Sequence, residues 1–286
     1  MPIYDLSYRT WGGVPTSRRT RWVPIARAGL EPFLRRRAFL FWLILCWMPA
    51  VVFGAILYVR VKFNAASSEL DAAGLIDANE RFFLDFLRGQ FFLSMLTSVF
   101  VGSGAIANDR RTNALQIYLA KPLRTIDYLA GKGAGVALAL ALVSLGPALA
   151  LYLLRVGLDE DGVYLRAHPF LPIALLGAAA ILILTMTILS LTVSSMAKSG
   201  RAAGIALVML YIFTEAFRTI AGTLLGSRFT SLLSPTAGVR QGMSWLLGQP
   251  PPYDIHPGWS LVALALLMAL CLKLLWGRVR AVEVVT

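Results

Sequence analysis

Six stretches of this chain, at roughly 39–59, 89–107, 133–154, 171–196, 202–226 and 259–277, are apolar over about the twenty residues that an α-helix needs to cross the hydrocarbon of a bilayer. In hydrocarbon every backbone N–H and C=O must find its partner inside the protein, so each run reads as a helix. The chain is therefore expected to be an all-α polytopic membrane protein with six transmembrane helices. Composition agrees: 57% of the residues are hydrophobic and the mean hydropathy is +0.68, more than a soluble domain of this length usually carries. The apolar residues also come in runs, not in alternation.

Six crossings place both termini on one side, and the basic residues say which. Seventeen Lys and Arg fall in the connections on the side of the N-terminus and eight on the other, which by the positive-inside rule makes the N-terminal side cytoplasmic. Nine of the fifteen acidic residues fall in the outer connections. The net charge of +12 is thus read as a topology signal and contact with anionic membrane lipid, not as a nucleic-acid footprint. The expected location is the cytoplasmic (inner) membrane. Residues 1–38 form a basic cytoplasmic segment whose stretch 24–36 puts Ile25, Leu30, Phe33 and Leu34 near one face, as in a helix lying in the interface. Arg36-Arg37 resembles a twin-arginine signal, but the apolar run after it is too long and too rich in Trp. Residues 39–277 make the six-helix domain and 278–286 a cytoplasmic tail.

Between the second and third runs lies the longest charged internal segment, 108–132, NDRRTNALQIYLAKPLRTIDYLAGK. Asn113 to Ala120 reads as a short helix with Leu115, Tyr118 and Leu119 on one side, and Pro122 ends it because its ring removes a donor and crowds the preceding turn. A surface helix with exposed Leu and Tyr either rests on headgroups or receives a partner. The order Asp109-Arg110, Leu115-Gln116, Leu119-Ala120-Lys121-Pro122-Leu123-Arg124, Tyr128-Leu129-Ala130-Gly131-Lys132 resembles the cytoplasmic loop of type-2 ATP-binding cassette (ABC) exporter permeases. Asp109 stands where that family usually has Glu, Thr112-Asn113-Ala114 where it has Gly-Thr, and Gln116 where it has a second Glu. The resemblance implies that the segment is a coupling helix seated in a separate ATPase subunit. Asp109, Arg110, Asn113, Leu115, Gln116, Tyr118, Leu119 and Pro122 are then the coupling residues. It also implies an N-terminal elbow helix and an outer re-entrant helix before the last crossing. The second of these falls in 227–258: Ser234 as N-cap and Pro235 at the first helical position open a helix that Gly248 and Pro250 to Pro252 close, with Val239, Met243, Leu246 and Leu247 on one face.

Inside the runs, Glu215 and Arg218 stand one turn apart in the fifth. Either would cost roughly 2.5 to 3.5 kcal/mol alone at the bilayer centre, and their spacing lets them pair. They read either as a neutralised packing pair or as the lining of a path or subunit interface. In the second run Ser94, Ser98 and Gly102 recur every four residues, small enough to bring a neighbouring backbone close, within the subunit or at an interface between subunits. Pro49 and Pro147 should kink their helices. The hydroxyls from Thr185 to Ser195 in the fourth run read as packing or as a substrate path. Gly131-Lys132-Gly133 is not a Walker A loop, because it has no Ser or Thr after the Lys. Cys46 and Cys271 lie inside membrane runs, and His168 and His256 stand alone in outer connections. No enzyme activity, cofactor or metal site is expected in this chain.

Together these features point to the membrane subunit of an ABC exporter, a dimer with itself or with a similar permease. It would be driven by two copies of an ATPase subunit that bind the ATP and Mg. The alternative is a membrane anchor or mechanical transmitter that couples the same ATPase to a periplasmic partner without transport.

Overall fold

The computed structural model describes residues 20–63, 79–114, 124–159, 162–225 and 228–283. Among them every regular element is a helix. The chain runs α1 (Trp22–Leu34), α2 (Arg37–Phe63), α3 (Glu80–Thr97), a π-helical turn (Ser98–Gly102), α4 (Gly104–Arg111), α5 (Thr125–Val143), α6 (Leu145–Gly157) and α7 (Val163–Ala167). After these come α8 (Leu171–Met196), α9 (Gly200–Leu225), a 3-10 turn (Arg228–Leu233), α10 (Pro235–Leu246) and α11 (Pro257–Glu283). Among the described residues six stretches are long and apolar enough to cross a bilayer: Arg37–Val59, Glu80–Arg111, Thr125–Gly157, Leu171–Met196, Gly200–Leu224 and Pro257–Val279.

These six divide into two sets. The second, third and fourth are at least half buried by the rest of the protein, whereas α2, α9 and α11 are only 22% buried. The inner three carry the polar residues that helices in hydrocarbon use as glue, and the outer three turn bulky side chains outward, such as Phe41, Phe213 and Leu266. Side-chain bonds tie α2 to the centre: the Trp42 indole donates to Thr97 Oγ1 at 2.9 Å and the Gln90 amide to the Cys46 carbonyl at 2.8 Å. At the end of the bundle where α3 begins, Phe53 meets Phe82 and Phe86 edge-on. The sequence Phe82-Phe83-Leu84 is the first turn of the second span itself, capped by Asn79, whose side chain accepts from the N–H groups of Arg81 and Phe82.

Several boundaries depart from the sequence reading, each for a local reason. The third span starts at Thr125, eight residues before its apolar run, because Asp127 accepts from the Arg124 N–H at 3.2 Å and closes a capping box. The same span is broken at Ser144, three residues before Pro147, where the proline ring cannot donate to the carbonyl four residues back. At Pro49, by contrast, α2 runs on without a break. Asn113, with φ of 55°, takes the left-handed turn just past α4, a conformation that asparagine tolerates better than most residues, and Ala114 after it is already helical. Leu115, Gln116, Tyr118, Leu119 and Pro122 lie outside the described residues.

α1 lies on α5 where that helix is smallest. A Cβ added to Gly131 would come within 2.6 Å of Ile25 Cβ and 2.8 Å of the Trp22 carbonyl, and one on Gly135 within 3.2 Å of the Ala26 carbonyl. Ile25 and Ala26 are buried there. α10 forms as its Ser-Pro start foretold, with Ser234 accepting from the Ala237 N–H and Gly248 at φ of 62° just past its end. It lies along the first halves of α8 and α11, with Gly242 against Ile181 and Leu261 and Gly238 against Leu264. Val239, Met243 and Leu247 are fully or almost fully buried. His168, alone in the sequence, pairs through Nδ1 with Glu80 Oε1 at 2.9 Å and so ties the segment after α7 to the start of α3. In α7, burial pushes the Tyr164 phenol well above its ordinary pKa, against the pull of the Arg155 guanidinium that lies 4.3 Å over its ring.

Candidate functional site

Two polar centres stand out in this apolar bundle, one at the root of the 112–124 connection and one between α9 and α10. At the first, α4 enters the connection and α5 leaves it. Asp109 on α4 accepts an ion pair from Lys132 Nζ at 2.7 Å and a hydrogen bond from the Tyr128 hydroxyl at 2.8 Å, both from α5. The carboxylate and ammonium side chains are only 16% and 11% exposed, so water screens them little. The connection is therefore tied across its base.

α8 stitches the same root from behind. Ser194 inserts its hydroxyl into the start of α4: it accepts from the N–H groups of Ile106 and Ala107, each at 3.0 Å, and donates to the Ser103 carbonyl at 2.7 Å. A hydroxyl that takes up backbone groups in this way lets a helix change pitch without orphaned donors. It does so directly after the π-helical turn Ser98–Gly102, the type of bulge that tends to occur at functional positions. The Arg110 guanidinium donates to the Ser195 carbonyl. Asn108 lies close to the first residue of α9, where a Cβ on Gly200 would meet its Oδ1 at 3.0 Å.

At the second centre, Glu215 and Arg218 form the pair that their spacing suggests, Arg218 Nη2 to Glu215 Oε1 at 2.7 Å. They are not a closed pair, however. Glu215 also takes Arg240 Nη1 at 3.3 Å, the Thr236 hydroxyl at 2.6 Å and the Ser234 hydroxyl at 3.3 Å, all from α10 or its cap. Arg218 lies 5.1 Å over the Tyr253 ring. One carboxylate thus holds two guanidiniums and fastens a peripheral span to α10. The same group opens on a cavity of about 560 Å³ between α3 and α9, lined by Arg88, Phe91, Met95, Tyr211, Glu215 and Arg240 among others.

Ser94, Ser98 and Gly102 have a different place from the one offered for a subunit interface. Ser94 and Ser98 are fully buried, Ser98 shares a hydrogen bond with the Tyr211 hydroxyl of α9 at 3.3 Å, and Gly102 sits against the Ser190 side chain of α8. The small stripe is spent on packing inside the subunit, because the inner spans converge on it. Lys132, Tyr128, Arg240 and Thr236 were not among the candidates from sequence, and Ser194 stood only as one of the hydroxyls from Thr185 to Ser195. Thr236, Arg240 and Ser244 recur every four residues along α10, in a row beside that of Val239 and Met243, and that polar stripe in a short apolar helix was a readable signal. Nothing in the sequence marked Ser194 among its neighbouring hydroxyls.

A six-span helical bundle with a charged connection clasped at its root, and with no strand among the described residues, defines a polytopic membrane protein. The sequence model described as ABC-2 family transporter protein matches residues 28–276, most of the chain, and the protein belongs to that family. Comparison with curated proteins gave no match. The chain is thus a membrane-spanning permease subunit of an ABC transporter, a role that implies association with an ABC ATPase.

Proposed function

We propose that the subunit exports its substrate from the cytoplasm across the inner membrane, with both termini inside. It is paired with a second permease, itself or a similar one, and served by two copies of a separate ATPase that hold ATP and Mg. On this reading α1 is the interfacial elbow, 108–132 the coupling segment and α10 the outer re-entrant helix. The observation that carries the proposal is the clasp of Asp109 with Lys132 and Tyr128. A connection tied at its base moves as one lever, so a push on its tip tilts α4 with α3 and α5 together instead of bending a loose loop.

The test changes Leu115 and Tyr118 together to Asp. The membrane domain should still insert while the ATPase no longer co-purifies, since the apolar face is lost and the groove meets new charge; undiminished co-purification would refute the coupling role. Reconstituted with the ATPase, the unmodified subunit should move substrate outward with ATP, and ATP turnover that no substrate stimulates would favour a force transmitter. Cysteines placed at Ser67 and Pro251 should react with an impermeant reagent from outside intact cells and one at Asn113 should not; the reverse pattern would invert the topology.

A further inference from the structure

At the end of the bundle that carries the 112–124 connection, a groove of about 1150 Å³ opens between the start of α2, the end of α4 and the start of α9. Arg36, Arg111 and Arg201 line it, and no carboxylate does. Each stands at the tip of a different span, the first, second and fifth, which places all three at one depth, where a bilayer carries its phosphates. Three other cations at this end are already engaged: Arg27 and Arg35 with Glu31, and Lys132 with Asp109. Among the described residues Arg36, Arg111 and Arg201 have no acidic partner within ion-pair distance, and Arg36 stacks only on Phe33 at 6.0 Å. Above the arginines the groove wall is apolar, formed by Phe100, Val208 and Met209, with Phe100 and Met209 more than half exposed.

A single arginine at the end of a span is an ordinary surface anchor. Three from distant parts of the chain that converge on one groove, without a counter-charge and below an apolar wall, form a receptor for an anion that drags a hydrocarbon chain behind it. We propose that this groove holds the phosphate headgroup of an anionic membrane lipid between Arg36, Arg111 and Arg201, with an acyl chain along Phe100, Val208 and Met209. Guanidinium suits the task because its planar fork binds phosphate oxygens in pairs. The inference needs only the placement of the span ends at the membrane surface. It stands or falls apart from the export reading, since lipid binding requires neither ATPase nor substrate.

The experiment measures lipid retention by the purified full-length protein in detergent, using native mass spectrometry with a monoester-phosphate lipid, a phosphocholine lipid of the same chains and inorganic phosphate. One phosphate lipid per chain should bind saturably, in preference to the phosphocholine lipid. Arg36→Gln or Arg201→Gln should weaken it roughly fivefold and the double change about 25-fold, with Lys replacements closer to the original. Arg27→Gln and Arg35→Gln should leave it unchanged. Equal loss from those control changes, undiminished binding by the double variant, or inorganic phosphate bound as tightly as the lipid would overturn the proposal. A phosphate lipid with a photoreactive acyl chain gives a readout that needs no variant: it should label Phe100 or Met209, and labelling confined to other helices would refute the site.

Discussion

Asp109 and Glu215 are both carboxylates within membrane spans, and each is held by cations and hydroxyls, yet they tie the chain in different ways. Asp109 joins two helices that flank one short connection, and its partners Lys132 and Tyr128 come from a single turn of α5. Glu215 joins a peripheral span to a short helix some twenty residues further on and divides its oxygens among Arg218, Arg240, Ser234 and Thr236. The first carboxylate is drier, 16% exposed against 30%, and has one cation; the second has two and borders a cavity. A dry, singly paired contact is suited to stay closed and pass on force. A shared contact at a cavity can release one partner while keeping another, as a surface that moves requires.

The sharpest way to break this contrast is to remove the lone cation. Lys132→Met strands Asp109 beside a phenol and should cost about 3 kcal/mol, since an unpaired charge remains where water is scarce. Melting in detergent should fall clearly, and Asp109→Asn with Lys132→Met should recover most of it. If the single change melts like the unmodified protein, water reaches Asp109 and the root of the connection is not a rigid lever.

At the second centre the arithmetic differs because two guanidiniums share one carboxylate. Glu215→Gln leaves both without a counter-charge and should cost about 2 kcal/mol, whereas Arg218→Gln leaves Arg240 in place and should cost under about 1 kcal/mol. The pair Glu215→Gln with Arg218→Gln should not restore stability fully, because Arg240 remains unpaired; adding Arg240→Gln should. Melting of the four variants, measured beside ATPase-coupled transport, separates packing from path: stability that returns in the triple change without transport would place these charges in the moving surface. Equal effects of the two single changes would show that Glu215 and Arg218 act as a closed pair.

Gly131→Ala tests the support of the first centre from outside. The new methyl would collide with Ile25 Cβ and the Trp22 carbonyl, and backbone cannot swing aside as a side-chain end can, so about 1 to 2 kcal/mol is expected. The loss should appear as faster proteolysis within α1, with little change at α10. Protection equal to that of the unmodified protein would mean that α1 is held by its flanking residues instead of by this approach.

The legible part of this molecule was the part that hydrocarbon dictates. Six spans, the Ser-Pro start of α10 and the Glu215–Arg218 spacing follow from local pattern, because a span must be apolar and a cap must be near its helix. The misjudged boundary of α5 arises where a side chain supplies what the backbone lacks: Asp127 extends α5 back to Thr125. The clasp was half visible, since Asp109, Tyr128 and Lys132 all stood in the recognised segment, but their convergence depends on how α4 and α5 leave the bundle. Arg240 and Thr236 meet Glu215 only because α10 folds back on α9, a tertiary fact that spacing along one helix cannot reveal.

The smallest effect is expected at Ser194, and it bears on how the lever is hinged. Its hydroxyl accepts from Ile106 and Ala107 and donates to Ser103, so Ser194→Ala removes three contacts at the junction of the π-helical turn with α4. Backbone groups left in a buried site would cost more than the net worth of one bond, but a helix can recover by closing its own ladder, so about 1 kcal/mol is expected. Recovery has a structural consequence: α4 should tighten toward regular α-helix, which rotates Asp109 relative to Lys132. Amide exchange at Ile106 and Ala107 should therefore slow or stay level while ATPase coupling weakens, even though Ser194 touches neither partner nor cavity. Faster exchange at these amides with unchanged coupling would show that the inserted serine only fills a gap, and the comparison between a rigid root and a yielding upper contact would then rest on the two carboxylates alone.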